Sequence, residues 1–161
     1  MIQGFISYCH DDHRSFVKFQ THLAGIERAY GVKFWADTRI SAGYYWSTEI
    51  EIAIEAADVF LLLLSPGFIA SDYIFFREIP AIASRHRTTG ALIVPVILER
   101  CSWQFVAGAL QAVPTEEGRL TPILDWAPQR NGFNRAREQI GAAIERHFGL
   151  ERKSTLGKAT S

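Results

Sequence analysis

DVFLLLL, Asp58 to Leu64, decides the fold. An unbroken apolar run has no polar face to offer water, so a strand made of it must be covered on both sides, as the central strand of a parallel sheet is. Around it, short apolar runs alternate with longer amphipathic stretches, which gives an α/β class. Ile2 to Ser7 (IQGFIS) reads as a first strand; Phe16, Phe19, Leu23, Ile26 and Tyr30 then recur at helical spacing. Asp11 or Asp12 is placed to cap that helix and Gly31 to end it. Val32 to Ala36 (VKFWA) reads as a second strand, and a loop follows. Thr48 and Glu51 have capping-box spacing ahead of the stripe Ile50, Ala53, Ile54, Ala57.

Beyond the central run, SPGFIAS reads as a turn-rich loop and SDYIFFREIPAIASRHR as a helix from near Ser71, where Pro80 demands a kink or a short first segment. Ala91 to Leu98 (ALIVPVIL) is the next strand, and Pro95, which has no N–H to donate, places it towards a sheet edge or at a bulge. Glu99 to Arg130 has no clear period. Phe133, Arg137, Ile140, Ile144 and Phe148 mark a last helix that Gly149 ends, and residues 150–161 have no apolar stripe and read as a flexible tail or linker.

At 161 residues the chain has the size of one domain, and 48% hydrophobic residues exclude wholesale disorder. Seventeen basic against seventeen acidic residues leave no net charge to draw the chain to nucleic acid or an anionic membrane. Two cysteines, Cys9 and Cys101, are too few for a disulfide scaffold, so a cytoplasmic location is expected. The longest apolar run is far short of the roughly 20 residues that span a bilayer.

In a doubly wound sheet, ligands sit beyond the carboxyl ends of the strands. That rule selects Tyr8 to Asp12, Asp37 to Gly43, Ser65 with Pro66, and Glu99 to Trp103. Neither Gly-rich phosphate signature is present, nor a GxSxG elbow around Ser65, so dehydrogenase, P-loop and serine-hydrolase chemistry are disfavoured. The cluster Cys9 to His13 (CHDDH) has metal-ligand residue types, but a closed site needs four ligands; helix capping and solvated histidines account for it better, and no metal is expected. A phosphoreceiver would need an acid where Ser65 stands and a lysine after the fourth strand, where only Glu99 and Arg100 follow.

GFISYCHDD, FWADTRISAGYYW, ADVFLLLLSPGFIASDYIFFRE and LIVPVILERCSW, in this order and spacing, resemble the bacterial Toll/interleukin receptor (TIR) domains over Ile2 to Phe148. The resemblance implies a flavodoxin-like, five-stranded parallel sheet of order 2-1-3-4-5, with residues 1–149 as the domain. It implies that Asp37 to Gly43 is the family's BB loop, through which copies assemble into homo-oligomers or filaments. It implies cleavage of NAD+ as substrate, no other cofactor, at the nicotinamide–ribose bond, in anti-phage defence and with a sensor domain as a further partner. By position after SDY, the family's catalytic glutamate is Glu78. Tyr8, Asp37, Arg39, Tyr45 and Trp103 fall at its substrate-binding positions.

One carboxylate suffices for that reaction. Glycosidases use a second to protonate a poor leaving group, whereas NAD+ releases an already cationic pyridinium as neutral nicotinamide. An ionised carboxylate near the ribose stabilises the developing oxocarbenium charge. Helical spacing places Glu78 beside a core stripe of Phe75, Ile79 and Ile82. Where many family members have Trp, four residues before the glutamate, this chain has Ile74, with Tyr73 next to it. Two other readings stand beside this one: an adaptor that assembles without turnover, and a nucleoside-cleaving enzyme similar to the nucleoside deoxyribosyltransferases.

Overall fold

The computed structural model describes residues 1–37, 48–154 and 156. Strands β1 (Ile2–Tyr8), β2 (Val32–Ala36), β3 (Val59–Leu64) and β4 (Leu92–Ile97) form one parallel sheet of order β2-β1-β3-β4, the flavodoxin-like arrangement. Helices α1 (His13–Tyr30), α2 (Thr48–Ala56), α3 (Pro66–Ala70), α4 (Ile79–Thr89), α5 (Gln104–Ala107) and α6 (Gln129–Phe148) complete the chain, with a short hairpin of β5 (Thr115–Glu116) and β6 (Arg119–Leu120). Because side chains alternate along a strand, the sheet splits its residues between two cores. Ile6, Leu61, Leu63, Val94 and Val96 pack under α1 and α6, while Phe5, Phe60, Leu62, Leu64 and Ile97 pack under α2, α3 and α4. All six residues of β3 are buried, as its apolar run requires.

At the outer edge, a single parallel bridge joins Val113 to Val96 in the fifth-strand position. Val113 N–H donates to the Pro95 carbonyl (2.9 Å) and its carbonyl accepts from Ile97 (2.8 Å). Residues 95 and 97 therefore turn their polar groups outward, while Leu92 donates inward to the Asp58 carbonyl just ahead of β3 and Leu98 to the Leu64 carbonyl at its end. Pro95 lacks its N–H on the edge side, where the β3–β4 ladder loses nothing.

Several local expectations need correction. SPGFIAS forms α3, because Ser65 Oγ accepts from Phe68 N–H (3.1 Å) as a cap and Pro66 opens the turn. Asp12 occupies the N-cap of α1 without a side-chain capping bond; its carboxyl accepts instead from Ser65 Oγ. The aperiodic stretch holds α5 and the hairpin, whose turn residues Glu117 and Gly118 both have positive φ (52° and 76°). On α6 it is Ala136, rather than Arg137, that is buried with Phe133, Ile140 and Ile144.

From Asp72 the chain is helical, but Ile74–Glu78 forms a π turn that closes with Ile79 N–H on the Ile74 carbonyl, five residues back. Pro80 follows one residue later, with no N–H to give, so the wide turn absorbs the break that proline imposes on an α-helix. After α6, Leu150 packs against the core and Lys153 N–H donates to the Ala29 carbonyl (2.9 Å). Among the described residues no helix is long and apolar enough to cross a membrane.

Gly4 lies on β1 where an added Cβ would stand 2.3 Å from the Phe34 ring. Gly4→Ala is expected to lower unfolding stability by about 1–3 kcal/mol through overpacking, measured by urea denaturation. Gly4→Ala with Phe34→Leu should recover part of the loss, since the smaller side chain clears the contact.

A candidate active cleft at the ends of β1 and β2

The chain order reverses at β1, which has β2 on one side and β3 on the other, and such a switch point opens a crevice beyond the strand ends. A cleft of about 330 Å³ occupies that place. Phe5, Tyr8 and His10 line it from β1 and the turn after it, Asp37 from the end of β2, Tyr73 from just before the π turn and Glu78 from the π turn itself. No lysine or arginine among the described residues lines it.

Strand alternation sets the key contact. Phe5 points under α4, so Ser7, two residues on, points there too. Its Oγ donates to Glu78 Oε1 at 2.8 Å, with Ser7 1% and Glu78 6% exposed. The expected core stripe is corrected here: Phe75 and Phe76 are 45% and 68% exposed, and the buried line is Ile74, Glu78, Ile82. The wide turn at 74–78 shifts the helix face, so Glu78 lies on the buried stripe rather than beside it.

Burial pushes the Glu78 carboxyl up to about 7; the Ser7 hydrogen bond opposes that and the Asp37 carboxylate adds to it. Tyr8 is buried, its ring flat on Phe16 (3.9 Å between centroids), and its hydroxyl lies 3.5 Å from His13 Nδ1. Burial first, then the Asp37 and Glu78 charges, push the Tyr8 phenol up to about 12, so it is a neutral hydroxyl in the cleft wall. Asp37 is nearly buried, and its carbonyl accepts from His10 Nε2 at 3.1 Å. His10 is thus a cleft residue rather than a solvated one. Cys9 also reaches the cleft, with burial pushing its thiol up, away from the reactive thiolate. Among the described residues, no three metal-ligating side chains come together.

Glu78, Tyr8 and Asp37 are therefore brought together. Trp103 is not: it is half-buried at the outer side of β4, in a separate groove with Leu92, Leu110 and Leu120. Arg39 and Tyr45, with the loop over 38–43, lie outside the described residues. Sequence reading missed Ser7, and it selected His10 within Tyr8 to Asp12 but assigned the ring to solvent. The available signal for Ser7 was the two-residue spacing from Phe5; for the contact that His10 makes there was none, because it depends on where β2 ends.

The profile of the family described as TIR domain matches residues 5–132. An uncharacterised protein of Sinorhizobium fredii, y4lF, is 33% identical over 143 residues, or 88% of this chain. The chain spans 43% of that relative's length. Among solved structures, the TIR domains of the activated Roq1 resistosome directly recognizing the pathogen effector XopQ superpose with a TM-score of 0.52 at 15% identity, over 94% of this chain and 92% of that one. That likeness is one of fold.

Glu78 makes stability depend on pH. Its carboxyl titrates near 4.5 in the unfolded chain and about 7 when folded, so the folded protein holds the proton more tightly. The stabilisation is complete below pH 4.5 and is lost as pH rises through 7. Glu78→Gln removes the ionisation while its amide oxygen still accepts from Ser7. By urea denaturation, it should gain on the order of 3 kcal/mol on wild type between pH 4.5 and pH 8.

Proposed function

The chain belongs to the TIR-domain family, and from that membership we propose that it is an NAD+ nucleosidase that works when copies are clustered, with Glu78 as its catalytic carboxylate. The observation that carries this reading is a buried acid, held by one serine hydroxyl, facing a cleft at the switch point of the sheet. A stability role does not explain a carboxyl in an otherwise apolar layer, because an aliphatic residue there would avoid its desolvation.

The cleft suits a cationic nicotinamide riboside. Its walls combine the rings of Phe5, Tyr8 and Tyr73 with the carboxyls of Asp37 and Glu78 and no opposing cation among the described residues. Its volume is at the lower end of the roughly 300–1,000 Å³ usual for small-molecule sites. The nicotinamide–ribose end of the dinucleotide occupies it, and the rest extends towards the segment after Asp37 and a neighbouring copy, where Arg39 and Tyr45 contribute. As the C–N bond breaks, its electron pair goes to the nicotinamide nitrogen, which leaves neutral. The Glu78 carboxylate stabilises the ribosyl cation until water, or an adenine nitrogen of the same molecule, bonds to the anomeric carbon and gives up a proton. The product is ADP-ribose or its cyclic isomer. NAD+ consumption of this kind fits a bacterial response to phage under the control of a sensor, with self-assembly through residues 37–43 as the switch.

A second reading, assembly without turnover, is favoured by the exposed pair Phe75 and Phe76, edge to face at 5.4 Å beside the cleft. Exposed aromatics in one place suit a protein interface. Nicotinamide release by clustered protein separates the two. Turnover is expected in wild type, with a loss of about 10²–10³-fold in Glu78→Gln. Oligomers that never release nicotinamide support the adaptor, and undiminished release by Glu78→Gln removes the glutamate from the mechanism.

The ionised form of Glu78 is the competent one. At limiting NAD+ the rate is expected to fall about tenfold per pH unit below 7 and to level off above it. A flat profile between pH 5 and pH 8 contradicts a role for this carboxyl.

A further inference from the structure

Building on the reading of Glu78 as the catalytic carboxylate, we propose that Ser7 is its positioning residue: the hydroxyl holds Oε1 against the sheet, so that Oε2 is presented to the ribose. Among the described residues Ser7 is the one hydrogen-bond donor to the Glu78 carboxyl. Oε2 is left for a ligand, at the edge of a cleft that Glu78 itself lines.

The geometry suits this task. A glutamate side chain has three rotatable bonds, and a fixed partner removes that freedom before substrate arrives, the preorganisation that electrostatic stabilisation of a cation needs. Ser7 sits on β1, paired with Leu62 of β3 and one residue past the last β1–β2 pair, Ile6 with Ala36, which makes it a more rigid anchor than a loop residue. The other end of the bond is in the π turn, the part of the helical run whose backbone bonding departs from the regular pattern. The serine thus supplies from the sheet a constraint that the helix does not supply.

The hydrogen bond also favours the charged form. Among the described residues, the other ionisable groups that line the cleft with the carboxyl are Tyr8, Cys9, His10 and Asp11 from β1 and its following turn, Asp37 from the end of β2, and Tyr73 from its own helical segment. The residues that α2 and α3 turn towards this layer, Ile50, Ile54 and Phe68, are apolar. Asp37 opposes ionisation, so Ser7 is the described group that promotes it.

The test uses the clustered full chain, with Ser7→Ala and the hydroxyl-retaining Ser7→Thr, and two readouts. In the first, carboxyl-labelled glutamate is titrated by carbon-13 NMR, with Glu78→Gln to assign the signal. Ser7→Ala is expected to raise the Glu78 midpoint by about one to two pH units, and Ser7→Thr to return most of the shift. In the second, the acid limb of nicotinamide release should move by the same amount, and kcat on the alkaline plateau should fall about tenfold with KM nearly unchanged. A bond that served folding alone would shift the midpoint and leave kcat on the alkaline plateau unchanged. An unchanged midpoint and plateau in soluble, folded Ser7→Ala overturn the proposal. Should that variant fail to fold, Ser7→Cys, a weaker donor, must show a smaller shift in the same direction or the proposal fails. If wild type turns over no NAD+, the catalytic reading of Glu78 falls and takes the presentation of Oε2 with it, while the titration still decides whether Ser7 holds the carboxyl.

Discussion

The site depends on one acid buried against the sheet. Glu78 lies between Ile74 and Ile82 on the stripe that α4 and its preceding turn press onto Phe5 and Phe60. Taking a carboxyl out of water carries a penalty of several kcal/mol unless it is paired or protonated. Among the described residues one hydroxyl, that of Ser7, donates to it, and burial pushes the carboxyl up to about 7. Proteins tolerate such local conflicts where function requires them. The same burial that destabilises the charged carboxyl strengthens its attraction for a cation that enters the cleft, because little water remains to screen it.

The surrounding scaffold is arranged so that this conflict stays local. β1 is flanked by two strands, and its end is tied down where Asp12 accepts from Ser65, linking the turn after β1 to the cap of α3. The Asp37 carbonyl, bound by His10, fixes the end of β2 against the same turn. Three strand ends are thereby locked together around the cleft, while the helical wall opposite is widened by a π turn just ahead of Pro80, which stands in the first turn of α4. Rigid strands and one irregular helical turn place the carboxyl where a regular α-helix would have aimed it differently.

Much of the fold was legible because it rests on periodicity. The two-sided apolar run of β3, the α1 stripe and the Pro95 edge all follow from local sequence, and the structure places them accordingly. Errors arose where one signal hid another. SPGF looks like a turn, yet Ser as cap and Pro at the first position are also how a short helix begins. A regular 3.6-residue period puts Phe75 inside, but the π turn at 74–78 rotates the face and leaves Phe75 exposed. Local sequence offers Asp11 or Asp12 as a cap, whereas the partner that the Asp12 carboxyl takes, Ser65, is 53 residues away and invisible to local reasoning. For the cleft, family resemblance supplied Glu78, Tyr8 and Asp37 and the strand-end rule reached His10, whereas the contacts of Ser7 and His10 emerge only from three-dimensional register. Trp103 matched a family position in sequence, but its strand end lies across the sheet from the cleft.

The most direct measurement is a structure of clustered Glu78→Gln protein holding intact NAD+. The account predicts the nicotinamide–ribose bond in the cleft between Tyr8 and the π turn, with the anomeric carbon within about 3.5 Å of the side chain at position 78. A dinucleotide bound elsewhere, such as the groove beside Trp103, with the cleft empty, would contradict it.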